Sequence, residues 1–169
     1  MQEVAPLPTC TDCSVHLKGN KPMTKQRTSQ EGRELIAARE GEELEAYLDG
    51  GGVWTIGVGH TLHVKKGDVI TKEQSDKFLE DDLHTAENAI KLYVNTPLNQ
   101  NMFDALVSLI FNIGVGAFKS STLLKLLNMG LLKEAAEQFP RWNQDNGQVV
   151  AGLTKRRLSE RLQFLTPYG

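Results

Sequence analysis

Apolar residues at helical spacing dominate the second half of the chain. Over residues 71–94 they recur on one face, which predicts a single amphipathic helix. Residues 99–113 are apolar nearly all round, a pattern typical of a helix in the middle of a helical lobe. Gly114 and Gly116 are predicted to end that helix. Further helices are predicted, in chain order, over 121–129, 131–139 and 153–165.

The pattern changes in the first half. Residues 28–31 (Thr-Ser-Gln-Glu) form a capping-box sequence with Thr28 as the cap, and it predicts a helix to about Arg39 that stops at Gly41. A second capping box, residues 71–74 (Thr-Lys-Glu-Gln), starts the later helix. Between them, β-prone runs flank three consecutive glycines, which predicts a small twisted antiparallel sheet over 46–64.

Together these elements predict an α+β fold of two lobes. The small N-terminal lobe, with its antiparallel sheet, spans 28–70; a long connecting helix spans 71–95; a larger all-helical C-terminal lobe spans 96–169. Residues 1–27 show no sustained apolar period and are interpreted as a tail or arm. The hydrophobic fraction of 40% is enough for a packed core.

The tail carries both cysteines of the chain, Cys10 and Cys13. A zinc site needs a second pair of ligands, which His16 alone does not supply, so we expect no metal and no cofactor. Three interpretations of the tail stay open. It could dock on a partner, hold a regulatory disulfide between the two cysteines, or be a segment added by a vector or an upstream start codon.

Charge and hydropathy exclude several classes of protein. The formal net charge of −2 argues against a nucleic-acid binder that relies on positive charge. The apolar runs are too short for stable membrane insertion, and the N-terminus lacks the apolar stretch of a signal peptide. Residues 28–113 carry net −8 and residues 114–169 net +4, which could form two walls of a cleft or ordinary solvated helix faces.

Two carboxyl residues stand where an acid and a base would need different environments. Glu40 is predicted at the C-terminal end of the first helix, where the helix dipole should keep it protonated. Asp49 leads into the glycine turn and should stay ionised, and the Thr55 hydroxyl on the returning strand could orient a water beside it. Cleavage of a glycosidic bond needs such a pair of carboxyl groups. Their spacing in sequence leaves inverting and retaining chemistry both open.

Around these residues the sequence resembles the phage lysozyme family, the T-even and lambdoid endolysins of glycoside hydrolase family 24. The resemblance covers roughly residues 28–169. It rests on the order of Glu40, Asp49 and Thr55 together with several further blocks. These blocks are Thr-Ile-Gly-Val-Gly-His (55–60), Gln-Asn-Met-Phe-Asp-Ala-Leu-Val-Ser (100–108), Phe-Asn-Ile-Gly (111–114), Arg-Trp (141–142) and Gly-Leu-Thr-Lys-Arg-Arg (152–157).

The resemblance implies a lysozyme-like fold and a muramidase activity. The expected reaction is hydrolysis of the β-1,4 bond between N-acetylmuramic acid and N-acetylglucosamine in peptidoglycan, which lyses the host cell. Glu40 matches the general acid, Asp49 the residue serving the attacking water or the cation, and Thr55 the third member. The positions that match the family's saccharide cleft are Gly59, Thr61, Phe111, Asn112, Ser121 and Arg141.

Other polar residues are assigned more modest roles. The resemblance implies that His60 is structural and pairs with a carboxylate, for which Asp68, Asp81 and Asp82 are candidates. His63 and His84 have no second ligand at metal spacing and are predicted to be solvated. Two interpretations concern aromatic and basic residues of the helical lobe: Trp142 is expected in the core, and the run Lys155-Arg156-Arg157 with Arg161 is explained most simply as a solvated helix face.

Two other functions remain open at this point. A lytic transglycosylase needs only the acid, so Asp49 and Thr55 speak against it. A non-catalytic glycan-binding module predicts no loss of activity on Glu40→Gln. We expect a monomer that binds peptidoglycan glycan strands, accumulates in the host cytoplasm and reaches the periplasm and wall through holin lesions.

Overall fold

The structure, a computed structural model, describes residues 25–169. The predictions for Cys10 and Cys13 lie outside the described residues, as does most of the predicted tail. In chain order the elements are α1 (Gln30–Glu40), β1 (Glu43–Leu48), β2 (Trp54–Gly57), α2 (Lys72–Asp82), α3 (His84–Tyr93), α4 (Gln100–Ile113), α5 (Val115–Lys119), α6 (Thr122–Asn128), α7 (Leu132–Ala136), a 3₁₀ turn (Phe139–Arg141), β3 (Gln144–Asp145), β4 (Gln148–Val149) and α8 (Ala151–Leu165).

Helix α1 begins one residue later than the capping-box prediction. Ser29, not Thr28, is the N-cap, and its Oγ accepts the backbone amide of Gly32 at 2.9 Å. Thr28 is drawn into the helical lobe instead, where its hydroxyl donates to Glu87 Oε1 at 2.8 Å. A long-range buried hydrogen bond therefore outweighs the local capping pattern at Thr28. The predicted stop is confirmed, since Gly41 ends the helix with φ +85°.

The predicted antiparallel sheet is present as two strands. β1 pairs with β2 in a register that places Tyr47 opposite Thr55 and Leu48 opposite Trp54. Isolated bridges extend this sheet at Glu45–Val69 and Ile56–His60. Only Gly41 and Glu42 separate α1 from β1, and the glycine turn directly follows β1. The end of α1 is therefore joined to the glycine turn by a short connection and one strand.

The prediction of one helix over 71–95 is wrong. The Thr71 capping box is present, but the run divides at Leu83 into α2 and α3. The backbone of Leu83 has ψ −14°, far from the value of an α-helix and close to that of a 3₁₀ turn. The side chain of Leu83 is fully buried, so the apolar pattern continues across the break and gives no sign of it.

Helix α4 lies in the centre of the helical lobe, as its pattern predicts. Its residues 103–110 are all buried, and α8, α3, α1 and α5 pack around it. At Gly32 a Cβ atom would come within 2.6 Å of the Asp104 carboxyl, so glycine permits a close approach of α1 and α4. Gly114 ends α4 with φ +88°, whereas Gly116 lies inside α5 and ends no helix.

A short hairpin between the 3₁₀ turn and α8 was not predicted. Strands β3 and β4 pair around Asn146 and Gly147, which have φ +49° and +78°. Asn-Gly is a strong signal for a two-residue hairpin turn, so the sequence held the information. Within residues 25–169, no helix is both long and apolar enough to cross a membrane.

Candidate active site

Glu40 is the last residue of α1, and its carboxyl group turns towards α8. Its Oε1 lies 2.6 Å from Nη1 of Arg156. No hydrogen bond or ion pair with another described residue involves Oε2 of Glu40. The carboxyl group therefore has one oxygen held and the other open.

The sequence argument considered only the helix end at Glu40 and missed this cation. Arg156 is itself fixed at all three nitrogens, since Nε lies 3.1 Å from Glu160 Oε1 and Nη2 donates to the Ser108 carbonyl at 3.3 Å. Its side chain is only 9% exposed. An arginine held in this way cannot follow the carboxyl group of Glu40 freely, so it fixes the direction in which Glu40 points.

Asp49 follows β1 and makes the turn that leads to β2. Its Oδ1 accepts the backbone amides of Gly51 at 2.9 Å and Val53 at 2.8 Å. These two bonds form an Asx-type turn that keeps the side chain in place. Oδ2 receives no hydrogen bond from the described residues, so Asp49 also has one oxygen held and one open.

Thr55 shares a face of the hairpin with Asp49. The Asp49 amide donates to the Val53 carbonyl at 3.0 Å, and Thr55 lies two residues beyond Val53 on the same strand, so the two side chains are diagonal neighbours. The Thr55 hydroxyl donates to the Val53 carbonyl at 3.0 Å, which leaves its lone pairs available as acceptors. Trp54 points to the opposite face and is half-buried.

His60 pairs with Asp82, which settles the choice among the three candidate carboxylates. The His60 Nδ1 atom lies 2.8 Å from Asp82 Oδ2, and the imidazole stacks on Phe78 with ring centroids 4.4 Å apart. His63 is exposed as predicted, but His84 is half-buried, with an Nε2 atom that has no hydrogen-bond partner among the described residues. The solvated interpretation of His84 is therefore wrong.

The six predicted saccharide residues occupy different kinds of position. Gly59, Thr61 and Arg141 are exposed, and Phe111 is half-buried against the core. Asn112 is exposed, and its Oδ1 accepts Arg157 Nη2 at 2.6 Å, which leaves its amide NH₂ free to donate outwards. Ser121 is buried and caps α6: its Oγ donates to the Phe118 carbonyl at 2.6 Å and accepts the Leu124 amide at 3.1 Å.

The prediction of a solvated basic face on α8 is correct only in part, since Lys155 is exposed and Arg161 is 32% exposed. The side chains of Arg156 and Arg157 are 9% and 0% exposed, and both reach polar groups on neighbouring helices. The signal in the sequence was Arg156-Arg157 followed by Glu160, because residues three and four apart lie on one side of a helix. Trp142 packs against the core, as predicted.

Two cavities border the region of Glu40, Asp49 and Thr55, since Gly41 and Glu42 line one of them and Ile56 lines the other. One of about 710 Å³ separates α1 from α2 and includes Arg33 and Asp76, and another of about 600 Å³ adjoins His60. Neither is lined by any of the three residues. Across residues 25–169, no three His, Cys, Asp or Glu side chains are grouped so that they could hold a metal ion.

Comparison with known proteins places the chain among lysozymes of bacteriophages. The family model described as phage lysozyme matches residues 37–160, which include Glu40, Asp49 and Thr55. The endolysin of Salmonella phage P22 is 45% identical over 143 residues, covering 82% of this chain and 97% of the relative. The endolysin of Acyrthosiphon pisum secondary endosymbiont phage 1 is 43% identical over 140 residues, covering 80% and 96%.

Solved structures agree with the sequence relatives. A mutant of P22 lysozyme superposes with a TM-score of 0.81 at 42% identity, covering 83% of this chain and 99% of that one. The muramidase domain of SpmX from Asticaccaulis excentricus gives a TM-score of 0.79 at 43% identity, covering 85% of this chain and 100% of that one. The lysozyme-like α+β fold is thereby confirmed, and the chain belongs to the phage lysozyme family.

Proposed function

We propose that the protein is an endolysin that hydrolyses the β-1,4 bond between N-acetylmuramic acid and N-acetylglucosamine in peptidoglycan. The observation that carries the proposal is the matched pair of half-held carboxyl groups, Glu40 and Asp49, within the region that the family model matches. The names of its relatives, endolysin and muramidase, support the same reaction.

Glu40 acts as the general acid. Arg156 holds Oε1, so Oε2 is the oxygen that can carry a proton to the leaving glycosidic oxygen. The bond between that oxygen and the anomeric carbon then breaks, and positive charge develops on the sugar ring.

Asp49 and Thr55 act on the other partner in the reaction. The free Oδ2 of Asp49 is available to take a proton from the attacking water, or to stabilise the cationic sugar, while the backbone amides hold Oδ1 still. The Thr55 hydroxyl donates to its own strand and can therefore accept a hydrogen bond from that water. The water oxygen joins the anomeric carbon, so the products together gain one molecule of water.

The saccharide strand would contact the exposed members of the predicted set. Gly59, Thr61, Asn112 and Arg141 are exposed, and the free amide of Asn112 suits the hydroxyl and acetamido oxygens of a saccharide.

We further propose that the enzyme acts as a monomer on the host cell wall, and that holin lesions release it from the cytoplasm. Active enzyme exported from cells without a holin would contradict that route.

The test is muropeptide analysis of purified peptidoglycan treated with the wild type, Glu40→Gln and Asp49→Asn. The matched controls are Glu34→Gln, an exposed glutamate on the same helix, and Asp68→Asn, another aspartate that accepts a backbone amide. We expect wild type and controls to release hydrolysed muropeptides. Each of the two candidate variants should be slower by about 10²-fold or more.

Three results would contradict the proposal in different ways. Products with 1,6-anhydro ends, lighter by one water, would identify a lytic transglycosylase. Wild-type activity in Glu40→Gln would remove the acid role. Binding to glycan strands with no bond cleavage by the wild type would indicate a non-catalytic module.

A further inference from the structure

Glu160 is a fully buried carboxylate in the middle of α8, outside the set of residues predicted for the site. Its Oε1 accepts the Ser108 hydroxyl at 2.7 Å and Arg156 Nε at 3.1 Å. Its Oε2 lies 3.2 Å from Arg157 Nη1. A buried charge is costly unless it is paired, so the two arginines and the hydroxyl account for the presence of Glu160 in the interior.

The two arginines continue from Glu160 to the candidate site in different directions. Arg156 uses Nη1 to hold Glu40 Oε1 at 2.6 Å. Arg157 uses Nη2 to hold Asn112 Oδ1 at 2.6 Å. Glu160 is therefore connected through Arg156 to the proposed acid, Glu40, and through Arg157 to Asn112, an exposed member of the predicted saccharide residues.

The local charge balance depends on Glu160. Arg39 on α1 joins the same cluster and donates to Ser108 Oγ at 3.1 Å, so three guanidinium groups face two carboxylates, Glu40 and Glu160. Burial lowers the pKa of Arg39 and Arg157, and in both cases the charge of Glu160 opposes that effect. Helix α4 contributes only the uncharged side chain of Ser108 to the hydrogen bonds of Glu160.

We infer that Glu160 is a positioning residue that acts on the reaction through Arg156 and Arg157. Through Arg156 it fixes which oxygen of Glu40 is free to carry the proton. Through Arg157 it fixes which end of the Asn112 amide faces outwards. This inference rests on the proposed function, because it assigns Glu160 a part in the same reaction.

The test compares Glu160→Gln with Glu137→Gln as its matched control. Glu137 is an exposed glutamate outside α8 that pairs with Arg161, an arginine of α8. The control therefore removes a Glu–Arg pair that involves α8 but not Arg156 or Arg157. We expect Glu160→Gln to lower kcat about tenfold or more through Glu40 and to raise KM through Asn112. With three guanidinium groups facing one carboxylate, the alkaline limb of the kcat/KM profile should move to lower pH.

A conservative variant separates charge from geometry. Glu160→Asp keeps the negative charge but shortens the side chain, so the alkaline limb should return to the wild-type pH while kcat stays reduced. A merely structural role would lower the melting temperature in both variants and leave the pH profile and KM unchanged. Thermal unfolding followed by circular dichroism is measured alongside the kinetics, with soluble glycan strands as substrate.

Several outcomes would overturn the inference. One is a folded Glu160→Gln variant whose kcat, KM and pH profile equal those of the wild type. Another is a Glu137→Gln variant that shows the changes expected for Glu160→Gln. If Glu160→Gln does not fold, Ser108→Ala, which removes one hydrogen bond to Oε1, should lower kcat severalfold, and unchanged kcat would refute the role. A wild type that cleaves no glycan, with Glu40→Gln identical to it, would refute the proposed function instead.

Discussion

At the scale of single residues, both candidate carboxyl groups are held by one oxygen only. Glu40 is held by a guanidinium group from a distant helix, and Asp49 by two amides of its own turn. The difference decides what could be predicted. The turn that fixes Asp49 is local and follows from Asp-Gly-Gly-Gly, whereas Arg156 comes from the other end of the chain and no local pattern links it to Glu40.

Asp104 offers a prediction at this scale because it is a buried carboxyl group outside the active site. It accepts Ser29 N at 3.1 Å, Ser29 Oγ at 2.5 Å and Gln100 Nε2 at 2.7 Å. Burial raises the pKa of Asp104 above its ordinary value, against those hydrogen bonds, which lower it. A carboxyl group with a raised folded-state pKa stabilises the fold most below its unfolded pKa, and this contribution disappears as pH rises through the folded-state pKa.

The variant Asp104→Asn cannot ionise and lacks this pH dependence. Its free energy of unfolding minus that of the wild type should therefore increase as pH rises from about 3 to 7, which means that the variant gains stability relative to the wild type. Urea denaturation of both proteins across that range measures the difference. A difference that stays constant would show that the hydrogen bonds cancel the effect of burial on the pKa of Asp104, and one that falls with rising pH would show that they outweigh it.

At the scale of elements, helix caps and glycines explain both the successes and the errors of prediction. The second capping box, at Thr71 and Gln74, is local and was found. The first predicted N-cap was wrong by one residue, because Thr28 donates its amide and hydroxyl to Glu87, far along the chain, and Ser29 caps α1 instead. The break at Leu83 left no trace in an apolar pattern that continues through it.

Ser121 gives a prediction for an element. Its hydroxyl caps α6 with both a donated and an accepted hydrogen bond, so Ser121→Ala should lower the free energy of unfolding by about 1 kcal/mol. KM for glycan strands should stay unchanged. Ser120→Ala, at the exposed neighbouring serine, is the control and should have the smaller effect on stability. A raised KM with unaltered stability would instead favour the saccharide role that the family resemblance implies.

At the scale of the whole molecule, residues 28 and 29, which precede α1, form hydrogen bonds with two helices of the helical lobe. Thr28 donates its amide and hydroxyl to Glu87 on α3, each at 2.8 Å, and Ser29 bonds Asp104 on α4. Both acceptors are buried, with 2% exposure each. Arg27 also contacts this part of the chain, since its Nη1 lies 3.3 Å from Glu87 Oε2 and its carbonyl accepts Gln100 Nε2 at 2.8 Å.

A pair of truncations tests this attachment. Removal of residues 1–29 should cost at least about 2 kcal/mol of unfolding free energy more than removal of residues 1–24, because it takes the Thr28 donors from Glu87 and the Ser29 donors from Asp104, both buried carboxyl groups. Chemical denaturation of the two truncated proteins measures the difference directly. Equal stabilities would mean that water or nearby side chains replace Thr28 and Ser29 without cost.

The bond between Glu40 and Arg156 also has a consequence for biosynthesis. During translation Glu40 leaves the ribosome long before α8, so a nascent chain has the proposed acid but not the arginine that holds its carboxyl group. The ion pair between Glu40 and Arg156 thus forms only when the last helix is released, and chains that end before α8 lack it. We expect unfinished copies that lack α8 to be inactive against the cell wall.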